Sequence, residues 1–412
     1  MGESLLCEEE YRIHSTLRLA LGKNPCDACA MLLKKSLLLS RHTAPAFMAE
    51  GFIWGVFAAY APDIKAQIGA SDAVFGWVLL CGAVGAVTAM WLAPIFDRLA
   101  GRYGMAIGAV LLALAFQFPI LVHGPILFGA LMFFVGAFSG LLDVVMNARL
   151  SLIESRERTS LMNLNHALFS FAYAASAISA GLFRDSETSI NIVAFGFLIL
   201  ISISALGMIQ PRVLAPVQTS QSGTKSALGV AVFWGGLIVF AAFLSENSVE
   251  GWSALHIERT LGGGAAEGAF GPAMLGLTMG FGRFGGQIIV SRISEARVVL
   301  IASLLAAVGA VIAAVAPSPI WAYVGFGLLG LGVSVIAPMV FALVGRRVPD
   351  EIRSQAISRV AVIGYLGFFV GPPIVGFLAG VVGLRASFIF VALVLLAIPL
   401  LLNLLRRDAR ID

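Results

Sequence analysis

"FGALMFFVGAFSGLLDVVMNARL", residues Phe128–Leu150, is an almost wholly apolar run that carries Asp143, then Asn147, then Arg149. About 20 such residues span the hydrocarbon core of a bilayer. An ionised side chain at that depth costs at least a few kcal/mol and must face protein or water. The run is therefore either a membrane helix with a working acid or one buried element of a soluble core. The rest of the chain decides between them.

Of the 412 residues, 59% are hydrophobic and 12% are charged. A soluble domain carries roughly twice that charge fraction. So large an apolar excess does not fit inside one soluble core. Twelve spans are expected, at roughly 43–62, 74–95, 103–122, 126–147, 160–183, 190–210, 227–246, 268–290, 298–316, 320–344, 355–381 and 385–405. Runs this continuous lack the period-two alternation of an outer-membrane barrel. The expected fold class is an all-α polytopic membrane protein. Among the 45 glycines, Gly82, Gly85, Gly325, Gly327 and Gly330 are expected to let helices approach closely.

Lys and Arg fix the orientation. Of 27, 21 fall on the side of the N-terminal tail, and Lys65, Arg184, Arg259 and Arg385 on the other. Arg283 and Arg359 fall inside spans. This asymmetry predicts two cytoplasmic termini in a bacterial inner membrane. The net charge of +4 follows from that orientation, since no basic patch interleaved with base-stacking aromatics appears, and no nucleic-acid partner is expected.

Residues 1–42 carry Glu3, Glu8, Glu9 and Glu10 and do not fit a signal peptide. They are expected to form a mobile cytoplasmic extension, with Met31 as an alternative start. Cys26 and Cys29 make a C-x-x-C without a fourth ligand or a redox context, so no metal is expected. Cys81 is expected to be a packed thiol. The polar stretch 211–226, "PRVLAPVQTSQSGTKS", reads as a flexible linker. It divides the chain into six-helix bundles at 43–210 and 227–405, followed by a short tail at 406–412. Six spans plus six is the outline of a two-bundle secondary transporter with its site between the bundles.

"APIFDRLAGRYG" after the second span resembles the loop signature of the major facilitator superfamily. Asp97, Arg98, Gly101 and Arg102 match it, Ala93 stands in the leading glycine position, and one extra residue precedes Gly101. In the second half "GFGRFGGQIIVSRI" occupies the corresponding place, with Ser291-Arg292 where Asp-Arg is usual. "LLDVVMNARL", "ENSVEGW", "GRFGG" and "GYLGFFVGPPIVG" resemble the fucose-permease-like branch, including its uncharacterised bacterial inner-membrane relatives. The resemblance covers residues 43–405. It implies twelve helices in two bundles, alternating access, and a cytoplasmic gate at Asp97, Arg98, Gly101 and Arg102 that breaks as the bundles rock. It also implies a proton-coupling role for Asp143.

The residues themselves supply further candidates. Asn147 lies one helical turn from Asp143 on the same face. Glu50 shares a face with Trp54 and Phe57, which suits a polyol, although the branch places its first-helix acid near Ala58. Glu50 at a membrane interface is the alternative. Asn163, His166, Ser170 and Tyr173 form a polar stripe, and His titrates near neutral pH. Glu246, Asn247 and Glu250 sit at the end of the seventh span, where "SENSVEG" is expected to unwind, with Glu250 in solvent. Arg283 needs an anion, with Asp143 or a substrate carboxylate as its partner. Arg359 is expected to snorkel. Pro372-Pro373 and Pro338 are expected to break their helices. The proton-coupling candidates are Asp143, Glu50, His166 and Glu246. The substrate-binding candidates are Trp54, Asn147, Asn163, Ser170, Tyr173, Asn247, Arg283 and Tyr365.

"LGGGAAEG" lacks the Gly-Lys-Ser/Thr end of a phosphate loop, and no nucleophile, base and orienter set appears. No cofactor and no enzymatic activity are expected. The leading function is proton-coupled uptake of a small polar solute such as a sugar, by a monomer in the lipid bilayer. Proton-driven efflux of amphipathic compounds is the alternative. A transport-inactive receptor or scaffold, docking through residues 1–42, is the third.

Overall fold

The computed structural model describes residues 25–211, 229–290 and 293–408, and the regular structure among them is helical. Helix α1 (Pro25–Leu39) precedes the first crossing. The first half then holds α2 (Ala44–Gln67), α3 (Asp72–Ala100), α4 (Gly104–Phe116), α5 (Pro125–Glu157), α6 (Met162–Asp185) and α7 (Ile190–Met208). The second half holds α8 (Val230–Leu255), α9 (Ala265–Val290), α10 (Glu295–Val315), α11 (Pro319–Gly345) and α12 (Asp350–Asp408). Within α12, Gly383 breaks the helix at φ 84°, ψ 167°, a conformation open essentially to glycine alone, so α12 makes two crossings.

Among the described residues, nine helical segments are long and apolar enough to cross a membrane, and two of them, Asp72–Leu121 and Gln355–Arg407, each hold two crossings. Helix α9 adds another, its hydropathy diluted by Arg283 and its glycines. Twelve crossings in two six-helix bundles result, as the patterning predicts. Local sequence sets the ends. Pro45, Pro125 and Pro319 sit in first turns, where the missing N–H costs nothing. Ser71 caps α3 by accepting from the Val74 N–H.

Three expectations are corrected. The seventh span does not end at residue 246. Helix α8 runs on to Leu255 and then through a π turn at 256–260, so "SENSVEG" is wound helix. Ser245 and Ser248 donate back to the carbonyls of Ala241 and Leu244, and fully buried Trp252 anchors the extension. Pro372-Pro373 and Pro338 stay inside continuous helices. Membrane helices tolerate proline where packed neighbours satisfy the freed carbonyls. Part of the expected mobile extension, residues 25–39, is helix α1. The polar linker falls almost wholly outside the described residues, as do residues 1–24 and Ser291-Arg292.

Glycine does bring helices together. A Cβ at Gly85, Gly136 or Gly140 would collide with the backbone of the facing helix in the α3–α5 pair, and Gly325 and Gly330 pack equally tightly. Gly82 and Gly327 make ordinary contacts, 3.6 and 3.4 Å from their nearest neighbours. The two halves meet along α3 with α12 and α6 with α9.

Candidate functional site

A cavity of about 320 Å³ lies between the halves, within the range of small-molecule sites. From the first half, Glu50 and Trp54 on α2, Ser139 and Asp143 on α5, and His166 and Tyr173 on α6 line it. From the second half come Glu246, Asn247 and Glu250 on α8, Arg283 on α9 and Tyr365 on α12. Phe47, Phe57, Phe169, Phe243, Phe368 and Phe369 make much of the remaining wall.

Two polar groupings face one another. In the first, Ser139 donates to Glu50 Oε1 at 2.5 Å and accepts from the Trp54 indole N–H at 3.2 Å. Asn147 donates to the Asp143 carboxylate and to its backbone carbonyl, both at 2.8 Å. Glu50 is only 6% exposed, and its Oε2 has no hydrogen-bond partner. In the second, Arg283 donates to Glu246 at 3.2 Å and reaches across the halves to the Ser170 hydroxyl at 2.6 Å. The guanidinium therefore ties an acid of one bundle to a helix of the other.

The two ends of the cavity differ. At one end Arg184 is almost fully buried. It holds Asp63 with two hydrogen bonds of 2.7 and 2.8 Å and Glu258 at 2.7 Å, and it lies 5.5 Å from the Tyr60 ring. Asp63 belongs to the first half and Glu258 to the second. Asp72 pairs across the halves with Arg259 at 2.7 Å and within its own half with Lys65 at 3.0 Å. Phe75 meets Trp252 edge to face, with centroids 5.7 Å apart. A Cβ at Gly76 would lie 2.5 Å from the Pro372 carbonyl oxygen, and one at Gly376 2.5 Å from that of Asp72. This end is bolted.

At the other end, where most of the Lys and Arg lie, two ion pairs each stay within one half. Buried Arg149 donates to Asp97 at 2.5 Å and to the Gly101 carbonyl at 3.2 Å. Arg346 pairs with Glu295 in the second half.

A family model described as Major Facilitator Superfamily matches residues 43–295 and 239–411. The chain belongs to the Major Facilitator Superfamily. It is 29% identical over 363 residues to an uncharacterised MFS-type transporter of Yersinia pestis, covering 86% of this chain and 93% of that one. Two solved structures share the fold. The nucleoside transporter NupG has a TM-score of 0.68 at 11% identity, covering 89% of this chain and 98% of that one. A D-xylose-proton symporter has a TM-score of 0.67 at 14% identity, covering 87% and 95%. The family is one of transporters rather than enzymes.

In this superfamily chain Glu50, Trp54, Asp143, His166, Tyr173, Glu246, Asn247, Arg283 and Tyr365 converge on one cavity. Glu50 lines the cavity and is buried rather than snorkelling to a surface. Asn147 and Ser170 stand behind the wall, holding Asp143 and Arg283. Asn163 does not line the cavity; its neighbour Asn165 is the buried one, bonded to Ser40 and Thr43. The partner of Arg283 is Glu246 rather than Asp143. Glu250 lines the cavity and is not in solvent, because α8 continues past it. Arg359 is exposed, in keeping with snorkelling. Of the gate residues, Asp97 and Gly101 are clamped by Arg149, whereas Arg98 and Arg102 are exposed and Arg102 lies 5.1 Å from the Tyr103 ring.

Sequence reading missed Ser139, Arg149 and the Arg184 cluster. Ser139 had a signal, since it precedes Asp143 by one turn as Asn147 follows it. Arg184, an arginine at the end of an apolar helix on the side poor in Lys and Arg, was the signal for the bolt.

Proposed function

We propose that the protein is a proton-coupled importer of a small polar solute, with the central cavity as its binding site and alternating access as its mechanism. The observation that carries this reading is the pair Glu50 and Asp143: two carboxylates on one cavity wall with no cation beside either among the described residues. Such a pair is free to take up and release a proton as the cavity's exposure to water alternates. The cavity volume suits a monosaccharide-sized solute, and Trp54 offers an aromatic face for its C–H surface. The resemblance to the fucose-permease-like branch favours the same chemistry, and the D-xylose-proton symporter and the nucleoside transporter carry polar solutes on the same fold.

The Lys and Arg asymmetry orients the basic end towards the cytoplasm. With the Arg184 end bolted, the conformation described is then open inward. Residues 43–210 and 227–405 act as the two rocking bodies. One chain supplies both walls of the cavity, so a monomer is sufficient.

The test is the external pH of a lightly buffered, anaerobic suspension of expressing cells as sugars, polyols and amino sugars are added. Alkalinisation by one solute, abolished in Asp143→Asn at equal membrane expression, is the expected result. Silence across the panel, or alkalinisation that survives in Asp143→Asn, would overturn the coupling role.

A further inference from the structure

The charge balance of the cavity says more about the solute. Four carboxylates line it, Glu50, Asp143, Glu246 and Glu250, against one guanidinium, Arg283, and that guanidinium is engaged by Glu246. No cation pairs with Glu50, Asp143 or Glu250 among the described residues. A coupling proton neutralises one of these three. Any of the others that stays ionised does so at membrane depth without a paired cation, where a carboxylate is costly.

Two atoms locate what is missing. Glu50 Oε2 is buried without a hydrogen bond, although Glu50 lines the cavity. The Tyr173 hydroxyl, on a residue 2% exposed, is likewise buried on the cavity wall without a partner. A carboxylate oxygen accepts and cannot donate, so its complement is an N–H or O–H donor. The walls favour a charged donor. Trp54, Tyr173, Phe243 and Tyr365 line the cavity, and an aromatic face attracts a cation through the ring quadrupole. A solute anion would meet three carboxylates without a paired cation and one occupied guanidinium.

We infer that the transported solute is a compact amine, protonated at neutral pH, whose ammonium group sits against Glu50 in the cavity that Asp143, Glu250 and the Tyr173 hydroxyl also line. Asn247 and the outer edge of Arg283 remain to meet hydroxyl groups on the rest of the solute. This rests on the cavity being the transport site, as proposed above, and narrows the polar solute to a cationic one.

The experiment is calorimetric titration of the purified full-length protein in lipid nanodiscs with matched probes. These are glucamine against sorbitol, glucosamine against N-acetylglucosamine, and cyclohexylamine against cyclohexanol. In at least one pair the amine is expected to bind about tenfold tighter or more, the gain from one charge-assisted hydrogen bond. Glu50→Gln, which keeps shape and removes charge, should bring that pair level. Glu250→Gln asks the same question if Glu50→Gln does not fold. Neutral members binding as well as their amines, or no amine binding at all, would overturn the inference. The two readings fail separately. A neutral sugar that moves protons while no amine binds leaves proton-coupled transport standing and removes the amine. An amine that binds without moving protons removes the coupling and leaves the amine.

Discussion

The two ends of the cavity place their ion pairs differently. At the Arg184 end the ion pairs cross between the halves: Arg184 with Glu258, and Asp72 with Arg259. At the Arg149 end two pairs each stay inside a half: Arg149 with Asp97, and Arg346 with Glu295. A pair inside one rigid body keeps its geometry when the bodies rock, whereas a pair between bodies must break. The first kind shapes a bundle; the second kind weighs one conformation against the other.

That contrast can be broken most forcefully at Arg184. Removing it leaves Asp63 and Glu258 without their cation. A fully buried pair would cost about 3–5 kcal/mol. Asp63 is 54% exposed, so about 2–4 kcal/mol of the bolted state is expected to go in Arg184→Ala. The readout is a cysteine at Gly251, on the cavity wall with its Cβ 3.4 Å from Leu79, in an otherwise cysteine-free background. Its labelling from outside by an impermeant maleimide should rise severalfold.

Arg149→Ala tests the other side of the comparison. Arg149 is almost fully buried, so a loss of about 1–3 kcal/mol of folded stability is expected, seen as a lower melting temperature in nanodiscs. Labelling at Gly251 should not change. If it rises as in Arg184→Ala, the distinction between the two kinds of pair fails. Asp72→Asn sharpens the picture at smaller amplitude. Lys65 and Arg259 lose their shared partner, but Arg259 is 42% exposed and water replaces much of the interaction. About 1 kcal/mol and a modest rise in labelling are expected. Arg346→Ala should be the quietest, below about 0.5 kcal/mol in the same melting assay, since its side chain is 68% exposed.

Sequence patterning reached the spans and those contacts that lie one helical turn apart. Asp143 with Asn147 and Ser170 with the His166 carbonyl are both separations of four residues, and both are hydrogen-bonded. The bundle fold was legible because a long apolar run has one stable form in a bilayer. The pairings that hold the molecule together join residues far apart, 52 positions for Arg149–Asp97, 74 for Arg184–Glu258 and 187 for Arg259–Asp72. No periodicity encodes such distances. Glu250 was lost for a different reason. Hydropathy ends a span where polar residues gather, and α8 continues through them because its neighbours bury it. Arg283 was recognised as needing an anion, but the choice of Glu246 over Asp143 depends on which bundle each residue belongs to in space.

The crossing of α3 and α12 at Gly76, Pro372 and Gly376 has a consequence for leakage. A transporter open at both ends at once is a pore, and each passage through it dissipates a gradient that the cell has spent metabolic work to build. Charged bolts do not prevent this alone, because ions attract water. Here backbone lies against backbone with no room for a methyl group, and the fully buried Phe75 and Trp252 rings close the gap beside it. The tightness of the barrier is thus set by side chains that are missing, at two glycines, rather than by any residue that binds or carries charge.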